Sequence, residues 1–194
     1  MSFLKNKSWG GNQLEVTVFT PTYNRAYTIK KLYESLKLQT FKDFEWVVID
    51  DGSSDNTEEL FSEFLSENNF FPIIYKKVEN GGKHRAINQG VKIASGRLFF
   101  IVDSDDTLPV NSLEIVLKYE NSIPDSEKKE FAGVSGLKAT YTNRILGETF
   151  DGDYLDITYL DTNSHNIRGD KAEVYYTDIM KKYPYYHADK DSSV

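Results

Sequence analysis

Leu98-Phe99-Phe100-Ile101-Val102-Asp103-Ser104-Asp105-Asp106 reads in two parts. Five apolar residues in a row are the pattern of a strand buried on both faces, as in the middle of a parallel sheet. The run then breaks into three carboxylates within four positions. Asp103 and Asp105 are two apart, so continued strand geometry turns them to the same side. Open α/β sheets bind ligands outside the carboxyl ends of their strands, which is where this cluster falls. Crowded carboxylates repel one another unless a cation lies between them. Their hard oxygens suit Mg2+ or Mn2+, ions that keep waters and take further ligands from phosphates. The plainer reading is a turn over Ser104, Asp105 and Asp106, residue types that favour turns in any setting.

Upstream of this stretch, strand and helix patterns alternate. Met1 to Leu14 is polar and is expected to be a flexible lead-in to one domain over residues 15–194. Glu15 to Thr20 reads as a strand, stopped by Pro21-Thr22-Tyr23-Asn24-Arg25. Thr28 is placed to cap a helix whose Ile29, Leu32, Tyr33 and Leu36 recur with helical spacing. Trp46 to Ile49 is a second buried strand, ending in Asp50-Asp51-Gly52-Ser53. Asp55 and Glu58 have capping-box spacing for the next helix. Ile73 to Val78 is a third strand, polar enough to lie nearer an edge. Asn80-Gly81-Gly82 turns the chain into a helix carrying Ala86, Ile87, Val91 and Ala94, with Gly96 as its expected C-cap.

Downstream, Pro109 and Asn111 begin a helix with Leu113, Val116 and Leu117 inward. Ala132 to Tyr141 reads as a strand. Val174 to Met180 is a short strand- or helix-like piece in an otherwise irregular last third. The alternation predicts an α/β fold, a Rossmann-like and mostly parallel sheet with helices on both faces.

Composition narrows the function. The chain has 194 residues, 39% of them hydrophobic, enough for one domain with a real core. It has no cysteine, which excludes disulfides, Cys-ligated zinc and thiol nucleophiles, and fits a cytoplasmic protein. A net charge of −7 argues against non-specific nucleic-acid binding. No apolar run reaches the length of a transmembrane helix. The first strand is followed by Pro-Thr-Tyr-Asn and not by a Gly-rich turn, which disfavours a dinucleotide fingerprint, and a Gly-Lys-Ser/Thr phosphate loop is absent. His84, His165 and His187 lack zinc-ligand spacing.

Three polar clusters follow three predicted strands: Pro21 to Asn24, Asp50 to Ser53, and Asp103 to Asp106. In a parallel sheet all three lie on one rim. Together they describe a pocket with an aromatic face at Tyr23, a carboxylate pair at Asp50 and Asp51, and a metal-competent cluster. Lys83, His84 and Arg85 open the helix before the last of these strands and add positive charge near the same rim.

In order along the chain, Val16 to Arg25, Leu38-Gln39-Thr40-Phe41, Val48 to Asp55, Asn80-Gly81-Gly82-Lys83 and Asp103-Ser104-Asp105-Asp106 resemble the family 2 glycosyltransferases. That resemblance, over about residues 15–120, implies a GT-A fold and inverting transfer of a sugar from a nucleotide-diphosphate donor, usually a UDP-sugar. It assigns nucleotide contacts to Pro21, Tyr23, Asn24, Asp51, Lys83, Asp103 and Ser104, with Asp51 on the base and Lys83 near the diphosphate. Asp103, Asp105 and Asp106 match the Asp-x-Asp region that holds Mn2+ or Mg2+. The acidic motif that supplies the general base has no clean match, which leaves Asp170, Glu173, Asp189 and Asp191 as candidates. On this resemblance residues 15–125 are the donor-binding half and 126–194 a partial, truncated acceptor-side half. It further implies a saccharide or lipid-linked saccharide acceptor, a role in surface polysaccharide synthesis, and room for a homodimer or for peripheral association with the inner face of a membrane. The alternative is a non-catalytic nucleotide-sugar-binding domain or an inactive fragment.

Overall fold

The structure is a computed structural model and describes residues 3–5, 14–162, 167 and 169–185. In chain order its elements are β1 (Phe3–Lys5), β2 (Leu14–Thr22), α1 (Ala26–Lys37), β3 (Phe44–Asp50), α2 (Thr57–Ser66), β4 (Ile73–Lys77), α3 (Lys83–Ile93), β5 (Gly96–Ile101), α4 (Ser112–Ser122), β6 (Gly133–Ala139), β7 (Ile145–Leu146), β8 (Lys171–Tyr176) and α5 (Thr177–Lys182). The strands form one mixed sheet in the order β1-β4-β3-β2-β5-β8-β6-β7. Its centre, β4-β3-β2-β5, is parallel throughout.

The apolar runs explain that centre. Every residue of β3 is buried, and Leu98, Phe99, Phe100 and Ile101 of β5 are buried with it. α1, α2 and α4 cover one face, where Tyr33, Phe61 and Phe64 pack around Trp46. α3 and α5 cover the other face, on Phe19, Val47, Ile49, Phe99 and Ile101. Strands buried on both faces need apolar residues at consecutive positions, which is the pattern seen here.

Several local expectations change. Within the expected lead-in, residues 3–5 pair antiparallel with β4 and give that strand an outer neighbour. α1 begins at Ala26, so Thr28 lies in its first turn and its hydroxyl donates back to the Arg25 carbonyl. Asp55 instead serves two helix starts, accepting the Ala26 amide on one oxygen and the Thr57 amide on the other. Its expected capping-box partner Glu58 pairs with Lys77. Gly96 does not cap α3 but opens β5, where its amide donates to the Thr17 hydroxyl at 2.9 Å. A Cβ there would stand 2.2 Å from the Thr17 amide nitrogen, so the close approach of β2 requires glycine. Val174 to Met180 resolves into the end of β8 and most of α5.

Strand order sets the position of the crevice. From β2 the chain steps outward through α1 and α2 to β3 and β4 along one face. It then crosses through α3 on the opposite face and returns to β5, on the other side of β2. That reversal between β2 and β5 is a topological switch point, where loops leaving adjacent strands part and open a crevice at the carboxyl ends.

Candidate active site

The rim of that crevice collects groups from six elements. β2 ends in Pro21-Thr22-Tyr23-Asn24, β3 in Asp50 and Asp51, and β5 runs on into Asp103 to Asp106. α3 starts there with Lys83. β8 runs antiparallel between β5 and β6, so the start of β8 and the end of β6 reach the same rim, bringing Asp170 and Lys138.

The β2 and β3 loops are locked together. Asn24 adopts a left-handed backbone, φ +52°, a conformation that Asn tolerates better than most residues. Its side-chain oxygen accepts the amides of Ser54 and Asp55, at 2.8 and 3.3 Å, and its own amide donates to the Ser53 hydroxyl. Next to it Tyr23 is half exposed. The buried Thr22 hydroxyl lacks a hydrogen-bond partner among the described residues.

Asp50 and Asp51 do not form the expected pair in the pocket. Asp50 is fully buried and accepts the Tyr75 hydroxyl and the Ser53 amide, so it is structural. Asp51 accepts the Gly81 and Gly82 amides, one on each oxygen, at 2.9 and 2.7 Å. The Asn80 side chain completes the joint by donating to the Asp51 carbonyl. Gly82 sits at φ +90°, which favours glycine. Asp51 thus folds the Asn80-Gly81-Gly82 turn against β3 and sets Lys83 at the start of α3. Lys83 in turn reaches Asp103, 2.6 Å away.

After β5 the strand geometry does not continue. The Asp106 amide donates to the Asp103 carbonyl, closing a turn over Ser104 and Asp105. The turn, and not a strand, therefore decides which carboxylates meet. Asp103 and Asp106 both face the Lys138 ammonium, at 3.9 and 2.8 Å, while Asp105 is exposed and Ser104 buried. Asp170 closes on the same ammonium at 2.7 Å. Burial alone would lower the Lys138 pKa, but hydrogen bonds to Asp106 and Asp170 outweigh it and raise it, so this ammonium stays charged. Lys138 correspondingly holds Asp170 below the usual carboxylate range.

Among the described residues no three His, Asp or Glu side chains form a group able to hold a metal ion by themselves. Mg2+ and Mn2+ do not need such a group. They bind through one or two carboxylates, with waters and phosphate oxygens completing the shell. Asp103 and Asp106 fit that role, since both already face a cationic stand-in, the Lys138 ammonium.

Of the four base candidates, Asp170 is on the rim, and Glu173 lies on β8 opposite Ile101. Asp189 and Asp191 lie outside the described residues. The sequence pattern missed Lys138, which sits among exposed β6 residues with no periodic signal. The motif residue Gln39 turns out to be a joint: its side chain donates to the Pro109 carbonyl and accepts the Leu113 amide, fixing α1 to α4.

A family model for glycosyl transferase family 2 matches residues 17–125, the span that builds the parallel core and the Asp103–Asp106 turn. The chain belongs to glycosyl transferase family 2. It is 32% identical over 99 residues to glycosyltransferase GlyG of Streptococcus pneumoniae, a match that covers 51% of this chain and 33% of GlyG. A crystal structure of S. aureus TarS residues 1–349 in complex with UDP superposes with a TM-score of 0.66 at 25% identity, covering 87% of this chain and 48% of that one. The mannosyltransferase PcManGT from Pyrobaculum calidifontis, in complex with GDP-Man and Mn2+, gives a TM-score of 0.54 at 26% identity, over 58% of this chain and 34% of that one. This chain thus spans about a third of GlyG and half or less of the two structural relatives. These likenesses bear out the GT-A fold expected from the sequence.

Proposed function

We propose that the β2/β5 crevice binds the donor of a metal-assisted, inverting sugar transfer, with a UDP-sugar favoured. The observation that carries this reading is the meeting of Lys83, Asp103 and Asp106 at the switch point of a family 2 fold. The UDP held by the TarS relative, and the GDP-Man and Mn2+ held by PcManGT, support the donor class and the metal.

In this reading Tyr23 and Pro21 pack on the nucleobase, and Asp51 lies beside it. Asn24 keeps that loop in place. Lys83 turns from Asp103 toward the diphosphate, where an ammonium is a point-charge partner for phosphate oxygens. Ser104 and Asp103 line the ribose side, and Asp103, Asp105 and Asp106 provide the oxygen ligands. Mg2+ or Mn2+ held there would supply the positive charge that a departing diphosphate needs. Asp170 is the base candidate on the rim. A base must be free to take the acceptor's proton, so Asp170 serves only once Lys138 has left it. A shallow, open depression between α1 and Tyr141, with Glu34, Leu38 and Thr107 in its lining, lies next to the Asp103–Asp106 turn.

The same Asp170–Lys138 pair favours a second reading, in which the chain holds donor without transferring sugar. Release of UDP from a panel of nucleotide-sugars, followed with and without Mn2+ and with and without saccharide acceptors, separates them. Acceptor-stimulated release supports transfer, slow unstimulated hydrolysis supports donor holding, and no binding to any nucleotide-sugar contradicts both.

A further inference from the structure

Three carboxylates from two separate segments close on one ammonium at the rim. Lys138 Nζ lies 2.7 Å from Asp170, 2.8 Å from Asp106 and 3.9 Å from Asp103. Its side chain is 17% exposed, against 67% for that of Asp170 and 37% for that of Asp106, so the cation is the best covered member of its own cluster. Holding β6 to β8 needs no such arrangement, because backbone hydrogen bonds already pair them from Gly133 to Leu137. Asp103 receives Lys83 as well, so two ammonium groups neutralise the acidic turn from within the chain.

A divalent cation arriving at Asp103 and Asp106 meets this arrangement directly. It must either displace Lys138 or share carboxylates with it, and sharing sets like charges a few ångströms apart. Lysine is suited to giving way, since its ammonium rides on a flexible four-carbon stem. It needs another anionic partner when it does, because an ammonium left unpaired in a covered position is costly.

We propose that Lys138 is a resident cation of this rim, competing with divalent metal for Asp103 and Asp106 and yielding when a nucleoside diphosphate offers its phosphates in exchange. Metal and diphosphate then bind with positive coupling, each strengthening the other by the same factor. This rests on the reading that a diphosphate and a metal meet at this rim. Lys138 acts as a positioning residue that sets the order of events and takes no part in bond making.

The test is uptake of Mn2+, followed by the loss of the free-ion paramagnetic resonance signal, for the wild type, Lys138→Met, Lys138→Gln and Lys138→Arg. Without nucleotide, K138M and K138Q are expected to bind Mn2+ at least tenfold more tightly than the wild type, and K138R to stay near it. UDP is expected to tighten Mn2+ binding tenfold or more in the wild type and far less in K138M. Gln keeps a hydrogen-bond donor toward the carboxylates, so K138Q reports on charge even where Met disturbs folding. If UDP draws Mn2+ to the wild type, yet both uncharged variants bind Mn2+ alone no better than it does, the role of Lys138 is overturned and the reading of the rim stands. If UDP draws no Mn2+ to the wild type, the reading of the rim falls and this inference with it.

Discussion

The Gly82 amide donates to the Asp51 carboxylate across 2.7 Å, joining the end of β3 to the turn that begins α3. The second oxygen of Asp51 holds Gly81 in the same way. One buried side chain therefore sets the place of Lys83 at the start of α3. Removing it leaves two amides without their acceptor. Asp51→Ala should cost about 1–3 kcal/mol of stability, measured by urea unfolding. It should also weaken UDP and inorganic diphosphate together through Lys83, whereas Asp51→Asn, which keeps one acceptor oxygen, should weaken UDP more than diphosphate. Unchanged stability in Asp51→Ala would remove the joint from this account.

Glu120 on α4 ties the helix to the sheet. Its buried carboxylate accepts from Arg97 and from the Tyr176 hydroxyl, and pairs with Lys128. Burial alone would push its pKa up, but these partners outweigh burial and bring it down to about 2 from an ordinary 4.5. A depressed folded-state pKa means that the stabilisation is complete above about pH 4.5 and is lost as pH falls toward 2. Its size is on the order of 3 kcal/mol. Glu120→Gln should flatten the fall in stability over that acid window and cost about 3–5 kcal/mol at neutral pH, because Arg97 is left underpaired. Parallel acid-unfolding curves for the two proteins would contradict this.

Gly90 lets α3 lie against β2. A Cβ at this position would stand 2.1 Å from the Phe19 ring, inside the core on that face of the sheet. Gly90→Val should therefore destabilise by about 1–3 kcal/mol or more, read from the thermal midpoint. Phe19→Leu in the same chain should recover part of the loss, and failure of that rescue would place the strain elsewhere.

Asp105 is exposed at the tip of its turn, so Asp105→Ala should change stability by no more than about 0.5 kcal/mol. As one of the proposed oxygen ligands, Asp105 when changed to Ala should also reduce the gain in UDP affinity that Mn2+ brings. A variant that binds UDP and Mn2+ like its parent would leave the ligation to Asp103 and Asp106 alone.

Long apolar runs made the centre of this fold legible. Trp46 to Ile49 and Leu98 to Val102 are buried on both faces, and no other placement satisfies so many consecutive apolar side chains. The ends of elements were less legible. Gly96 is a helix stop by propensity, but here a tertiary approach to Thr17 claims it for β5. Asp50 and Asp51 look alike in the chain, yet Tyr75 buries the first and the Gly81-Gly82 turn engages the second. Lys138 left no local trace because each of its hydrogen-bonded partners, Asp106 and Asp170, is 32 residues away in the chain. The insertion of β8 between β5 and β6 makes that meeting possible, and no short-range pattern encodes it.

We propose that the crevice between β2 and β5 binds a nucleoside diphosphate through a metal held by the Asp103–Asp106 turn. Calorimetric titration of UDP into the chain, with Mn2+ present and then with all metal chelated, tests it most directly. Saturable one-to-one binding is expected with Mn2+, and at least tenfold weaker binding without it. Equal affinity under both conditions, or no binding under either, would contradict it.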